Sequence, residues 1–177
     1  MKKYLKRYAL AAAAAAMLSV LVLTDGNIGA KALDTTLYSF KEMALVIPPV
    51  FILLGLLDVW VPRETMIRFM GESSGIKGAL LAVLLGTAAA GPLYAAFPLA
   101  GVMMKKGAKF MNVVLFVGAW STTKAPLVTF EVASMGPLFA LTRLAMSVIG
   151  ITLIALATQK LMKKEEIDLI YERAGKL

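Results

Sequence analysis

The sequence predicts an all-α, polytopic integral membrane protein, and three observations support this fold class. First, 59% of the 177 residues are apolar and 17% are charged, whereas a soluble domain has roughly 45–50% and about 25%. Second, the apolar residues form long blocks, and a membrane helix needs about 20 such residues. Third, the charges collect in short groups at the ends of these blocks. We therefore treat residues 1–177 as a single membrane domain.

The composition excludes several kinds of chemistry. The chain has no Cys and no His, so it cannot form a thiolate or imidazole metal site or a Ser-His-Asp apparatus. We expect no catalytic residues, no metal site and no cofactor, and hence no enzyme. The net charge of +8 lies in groups that are typical of topology signals rather than of a nucleic-acid surface. We therefore expect no nucleic-acid partner.

The first two transmembrane helices are predicted at residues 8–24 and 43–61. The first follows a basic start that contains Lys2, Lys3 and Arg7. This pattern fits both a signal anchor and a cleaved signal peptide.

The middle of the chain has one polar and one apolar segment. Residues 62–77 are too polar to span and are expected to lie in the membrane interface, or else to form a solvated connector. Residues 78–104 carry no charge and are interrupted from Gly86 to Pro92 and again at Pro98. Irregular backbone at membrane depth must be buried in protein or line a water-filled cavity. The segment is therefore predicted to be a broken helix or a re-entrant hairpin.

Two more crossings are predicted at 110–135, with a break near Pro126, and at 138–159. A Gly136-Pro137 turn joins them. The tail, 160–177, has apolar residues among mixed charges, which indicates either an amphipathic juxtamembrane helix or an exposed solvated one.

The basic groups determine the expected topology, because cytoplasmic loops are enriched in Lys and Arg. A cytoplasmic N-terminus places 62–77 and the cluster Lys105–Lys109 on the same side. Residues 78–104 must then enter and leave by one face. The prediction is four transmembrane helices plus a re-entrant hairpin, in the cell (inner) membrane, with five transmembrane helices as the alternative.

Glu131 and Arg143 lie on either side of the Gly136-Pro137 turn, each roughly 7–9 Å from it at ~1.5 Å per residue. Two antiparallel helices would place them side by side. We expect a structural ion pair that holds the helical hairpin together, with a gating or coupling role as the alternative.

Lys124 is the ionisable residue that most needs an explanation. It lies ~18 Å from the turn, close to the midplane of a hydrocarbon core ~30 Å thick. Pro126 removes the hydrogen bond to the carbonyl of Thr122, and Ser121, Thr122 and Thr123 add hydroxyls at the same depth. A broken helix with polar groups at mid-membrane is typical of the substrate and ion sites of secondary transporters.

The interrupted stretch at 86–98 supplies a second feature of this kind. Gly91, Pro92 and Pro98 interrupt the helix, and Tyr94 is the large polar side chain among them. Two interrupted segments predict a transport pathway lined by these residues together with Lys124. The alternative is that the small residues only permit tight helix packing.

The run from Met66 to Trp120 resembles the predicted-permease family that includes the organoarsenical efflux permeases (ArsP-like or YraQ-like). The shared marks are a Gly before the first long segment, the interrupted Gly86–Pro98 stretch, the Lys-Lys-Gly-Ala sequence at 105–108, and a later Pro break followed by Gly and Arg, at 123–143. A full-length member resembles two such units, so the resemblance implies a half-permease. Several relatives place cysteines near Gly91, and none is present here. Organoarsenical specificity is therefore not carried over, because arsenic(III) prefers thiolates.

Two functions follow as expectations. The first is a permease subunit that moves a small solute by secondary transport, an anionic one matching the charge of Lys124. The second is a non-transporting scaffold or accessory subunit of a membrane complex. Because five hydrophobic segments hardly enclose a solute path, we expect a homodimer or a companion half-permease, in contact with membrane lipid.

Overall fold

The computed structural model describes residues 2–24, 26–89 and 91–176, and within these ranges the regular structure is entirely helical. This confirms the all-α prediction. The helices are α1 (Lys2–Thr24), α2 (Gly26–Trp60), α3 (Arg63–Met70), α4 (Gly75–Ala88), α5 (Ala96–Lys105), α6 (Phe110–Thr122), α7 (Ala125–Met135), α8 (Pro137–Leu161) and α9 (Lys164–Gly175), with 3₁₀ turns at Glu72–Ser74 and Leu93–Ala95.

The chain divides into two compact units, residues 1–49 and 50–177. In the first unit, α1 and the first half of α2 approach closely at Gly29, where an added Cβ would meet the backbone of Val22. Hydroxyls in this unit bond back to carbonyls four residues earlier, as Ser19 does to Ala15 and Thr35 does to Lys31. Such bonds satisfy polar groups inside an apolar helix.

Among the described residues, three helical stretches are long and apolar enough to cross a membrane: Gly26–Leu57, Phe110–Met135 and Pro137–Leu161. A fourth is possible if Arg63–Met70 and Glu72–Ala88, which are bent by 42°, form one broken span. A polytopic membrane protein is therefore confirmed.

The bounds of the first two segments differ from those predicted. The second helix begins at Gly26 rather than at residue 43, because the polar stretch before it is also helical. The predicted first segment is helical, but Tyr8–Thr24 is an apolar helix shorter than the three stretches named above.

Residues 75–105 form a hairpin whose two ends lie together. The backbone N–H of Lys109 donates to the carbonyl of Met70 at 2.7 Å, and Lys109 Nζ lies 3.2 Å from Glu72. The amide of Asn112 also donates to Met70 O, at 2.9 Å. A full crossing would separate these ends by ~30 Å. The geometry agrees with a returning hairpin and not with a fifth crossing.

The hairpin packs against α6, and α4 runs parallel to α6. Gly78 lies beside Asn112, Gly86 lies beside Ala119, and Thr87 contacts Thr123. An added Cβ at Gly86 would lie 2.5 Å from the carbonyl oxygen of Phe116, so glycine permits the close approach of the two backbones. This packing determines how far the hairpin extends along α6.

The helix of the tail, α9, packs against α5 and the turn that follows it. Tyr171 donates its hydroxyl hydrogen to Ala108 O at 2.6 Å, and Ala108 and Ala174 are buried. One face of this helix is therefore in contact with the protein.

Candidate functional site

The two helix breaks predicted from the sequence meet in space. The first is the hairpin tip, formed by Ala89, Gly91 and Pro92 between α4 and the 3₁₀ turn before α5. The second is the α6–α7 break, formed by Thr123 and Lys124. The structure brings them into direct hydrogen-bonding contact.

The carbonyl oxygen of Gly91 is the centre of this contact. It accepts a hydrogen bond from Trp120 Nε1 at 3.2 Å and a longer one from Lys124 Nζ at 3.4 Å. Gly91 has a φ of +117°, a conformation that side chains rarely adopt. A glycine is therefore needed to turn this carbonyl toward α6.

A second link joins Thr87 and Thr123, whose hydroxyl oxygens are 2.8 Å apart. Thr123 is fully buried and uses its single hydroxyl hydrogen on Ala119 O, at 2.9 Å. The hydroxyl of Thr87 is therefore the donor in the contact between the two breaks.

The contact lies about halfway along the α6–α7 span. Lys124 is fourteen residues beyond Phe110 in a stretch of 26 residues, which places it ~20 Å along a span of ~39 Å at ~1.5 Å per residue. The hairpin therefore reaches the middle of that span and turns back there.

Pro126 explains why the helix breaks at this position. It is the second residue of α7, and Lys124 is the residue immediately before the helix. Because proline has no N–H, the carbonyl of Thr122 loses its usual donor. Arg143 Nη1, from α8, donates to this carbonyl at 2.8 Å instead.

Arg143 also forms an ion pair with Glu131, with Nε 2.5 Å from Oε2. The side chain of Glu131 is 10% exposed and that of Arg143 is 25% exposed. Arg143 Nη2 is buried and has no hydrogen-bond partner in the described part of the chain. One guanidinium thus connects α8 to both α7 and the end of α6.

The predicted site residues do not all converge. Ser121 is exposed, and the hydroxyls of Ser121 and Thr122 bond back to Gly118 O at 2.8 and 2.9 Å. Of the three hydroxyls, Thr123 is the one that contacts the hairpin. Tyr94 is 41% exposed and makes no hydrogen bond within the described ranges.

The two prolines of the hairpin, Pro92 and Pro98, differ in their roles. The expectation of a second interruption at Pro98 is wrong, because α5 begins at Ala96 and contains Pro98 in its first turn. Amide hydrogens in a first turn have no acceptor within the helix, so proline is tolerated there. Pro92 does precede a helical turn, at the hairpin tip.

Sequence reasoning missed Thr87 and Trp120. Both carried a usable signal: Thr87 lies inside the Gly86–Pro92 interruption, and Trp120 directly precedes the three hydroxyl residues. A buried Trp usually donates its N–H to a partner, and Trp120 is 4% exposed.

Trp120 also lines an apolar cavity of about 490 Å³. Its walls come from the second half of α2, α3 and the hairpin, and include Leu57, Met66, Ala89 and Leu99. In the described ranges, no group of three or more acidic side chains is placed to hold a metal ion.

These features define a polytopic membrane protein in which the tip of a helical hairpin contacts the break of a second, discontinuous helix. Residues 29–175 match the family model ArsP_1, described as a predicted permease. The chain belongs to this predicted permease family. No curated protein and no solved structure matches the chain significantly. Family membership and the apolar helices indicate a membrane permease.

Proposed function

We propose that this chain is a subunit of a secondary permease in which Lys124 binds a small anionic solute between the hairpin tip and the α6–α7 break. The observation that carries the proposal is the contact of Lys124 with Gly91 O, a weak bond to a neutral acceptor at 3.4 Å. Within the described part of the chain, Lys124 makes no ion pair, since Glu131 is occupied by Arg143. A half-buried ammonium in this position is available to an incoming anion.

The helix ends around Lys124 favour an anion. The 3₁₀ turn that leads into α5 begins at the first break, and α7 begins at the second. Helix N-termini carry partial positive charge from unpaired N–H groups. In transporters with discontinuous helices, such ends point at anionic substrate groups. Lys124 adds a full positive charge to theirs.

The carbonyls at the breaks support a coupling role as well. The helices α4 and α6 end there, and their last carbonyls lack intrahelical donors. Unwound carbonyls of this kind coordinate coupling ions in secondary transporters. The opposite partial charges of the helix ends are therefore suited to an anion that moves with coupling cations in excess of its own charge, so that transport carries net charge.

We further propose that two units form the path, as a homodimer or with a companion half-permease, in the cell (inner) membrane with a cytoplasmic N-terminus. The basic residues at 105–109 lie at the same end of the hairpin as Met70 and Glu72. Their cytoplasmic placement follows from the enrichment of Lys and Arg in cytoplasmic loops.

The test uses the purified chain in proteoliposomes on a solid-supported membrane. Sodium gluconate is exchanged for sodium acetate, phosphate, sulfate or methylphosphonate, and the transient current is recorded. We expect a current with at least one anion, its loss in Lys124→Met and its partial retention in Lys124→Arg. Lys160→Met is the matched control, because Lys160 is exposed in the last turn of α8.

Two outcomes would contradict the proposal. An undiminished current in folded Lys124→Met would mean that the site lies elsewhere. No current from the folded wild-type chain with any of these anions would favour the scaffold function. In that case, Lys124 should be needed for co-purification with a partner that carries a membrane carboxylate.

A further inference from the structure

A groove of about 580 Å³ begins at the corner between α3 and α4 and runs along α4 as far as Leu84. Its polar end is lined by Arg68, Ser73 and Lys77, and its apolar end by Leu80, Leu81 and Leu84. The groove therefore changes from cationic to apolar along its length.

The two cations at the polar end lack a protein counter-charge. Neither Arg68 nor Lys77 makes an ion pair with any residue that the structure describes, and the nearby carboxylate of Glu72 is paired with Lys109 at 3.2 Å. Arg68 is held over the ring of Phe69, with its Cζ 5.5 Å from the ring centroid. This contact fixes the guanidinium beside the groove.

The apolar end continues along the exposed side of α4. Leu80 and Leu84 are 60% and 64% exposed, and a rise of ~1.5 Å per residue puts Leu84 ~10 Å from Lys77. In a membrane protein, exposed leucines on a helix of this kind face acyl chains rather than water. A ligand of the groove must therefore have an anionic head and an apolar tail.

We propose that this groove binds one anionic phospholipid. The phosphate lies between Arg68 and Lys77, within reach of the Ser73 hydroxyl, and an acyl chain follows Leu80, Leu81 and Leu84. Basic pockets between membrane helices bind anionic headgroups in this way. The lipid would brace the corner where the hairpin begins, whether or not the chain transports a solute.

The test titrates the purified full-length chain in detergent with phosphatidylglycerol or phosphatidylcholine of identical acyl chains, and native mass spectrometry counts the lipids retained. We expect one tightly bound phosphatidylglycerol per chain. One Lys or Arg near a headgroup contributes about fivefold in affinity. Arg68→Gln and Lys77→Gln should each weaken binding about fivefold, and the double variant about 25-fold.

The matched control is Arg63→Gln/Lys164→Gln, which removes two exposed cations outside the groove. It should leave the affinity within about twofold of wild type. Equal weakening in both double variants, or in neither, would overturn the proposal. So would equal affinity for the two lipids.

A competition experiment distinguishes a lipid ligand from a soluble phosphate ligand. Glycerol 3-phosphate carries a similar anionic group without an acyl chain, and we expect it not to displace phosphatidylglycerol at equal concentration. Displacement would mean that the cations alone recognise phosphate, which would contradict a lipid site. The melting temperature of each variant in phosphatidylcholine confirms that the protein is folded.

Discussion

Arg143 donates a hydrogen bond to the carbonyl oxygen of Thr122, the same carbonyl that Pro126 leaves without a donor. The distance from Nη1 to this oxygen is 2.8 Å. An unsatisfied carbonyl inside a bilayer costs several kcal/mol, so a side chain from α8 stabilises the broken conformation of α6 and α7. Glu131, paired with the same guanidinium, holds Arg143 in the position that this bond requires.

The first prediction concerns the Glu131–Arg143 pair. Arg143→Gln should destabilise the chain by about 3 kcal/mol, because it leaves a buried carboxylate unpaired. Glu131→Gln should cost less, since the new amide can still accept from Arg143, which also keeps its bond to Thr122. The double variant should lose less stability than the sum of the losses of the two single variants. SDS-induced unfolding measures all three, and strict additivity would show that the pair contributes no coupling.

The second prediction concerns Pro126. In Pro126→Ala, the restored amide can donate to Thr122 O and compete with Arg143. The break should partly close, and hydrogen exchange of the peptide covering residues 122–128 should slow. Transport should fall because Lys124 is displaced from Gly91. Pro137→Ala is the control, since Pro137 opens α8 and a donor there has no intrahelical acceptor. Unchanged exchange in Pro126→Ala would show that proline does not cause the break.

The third prediction compares two helical glycines. In Gly86→Ala, the new Cβ would lie 2.5 Å from Phe116 O and 2.9 Å from Trp120 N. These are backbone atoms, so α4 and α6 must separate, at a cost of about 1–3 kcal/mol. In Gly150→Ala, the Cβ meets no heavy atom within 4 Å, and the change should be neutral or stabilise by up to about 1 kcal/mol. Equal unfolding midpoints would contradict close packing at Gly86.

The fourth prediction concerns the contact of the tail helix with the hairpin base. Burial, followed by the negative charge of Glu72, raises the pKa of Tyr171 from 10.0 to about 12, although a hydrogen bond from the Phe110 backbone partly lowers it. The raised pKa means that the protonated form favours the folded state. The stability that protonated Tyr171 contributes to the folded state is fully present below pH 10 and is lost as the pH rises from 10 to about 12.

Tyr171→Phe tests this contact. Loss of the hydrogen bond to Ala108 O should cost about 1 kcal/mol at neutral pH. The difference in stability between wild type and variant should stay constant below pH 10 and shrink above it. Ultraviolet absorbance difference spectra follow the tyrosinate directly. A wild-type Tyr171 that ionises near pH 10 would contradict its contact with Ala108.

Proline, glycine and isolated charges made both breaks predictable, because each violates the hydrogen-bonding or solvation rules of a membrane helix. The position of the basic cluster Lys105–Lys109 predicted that the hairpin returns to its starting side. The pairing of Glu131 with Arg143 followed from their similar distances to the Gly136-Pro137 turn. These are local properties that the sequence carries directly.

The contacts between the breaks were not predictable, because they depend on how far the hairpin reaches along α6. That distance is set by backbone contact at Gly86 and by the side chain of Asn112, which is fully buried. The bond from Arg143 to Thr122 likewise depends on the rotation of α8 about its axis. Periodicity alone does not give the start of α2 either, since the polar residues after Gly26 are also helical.

Closure of the hairpin base by Lys109 and Asn112 has a consequence for biogenesis. Both residues follow the hairpin in the chain, and both bond to Met70 O. During synthesis, α4 and α5 leave the ribosome before the groups that fasten them exist. The base of the hairpin can therefore close only after Lys109 and the first turn of α6 have been synthesised.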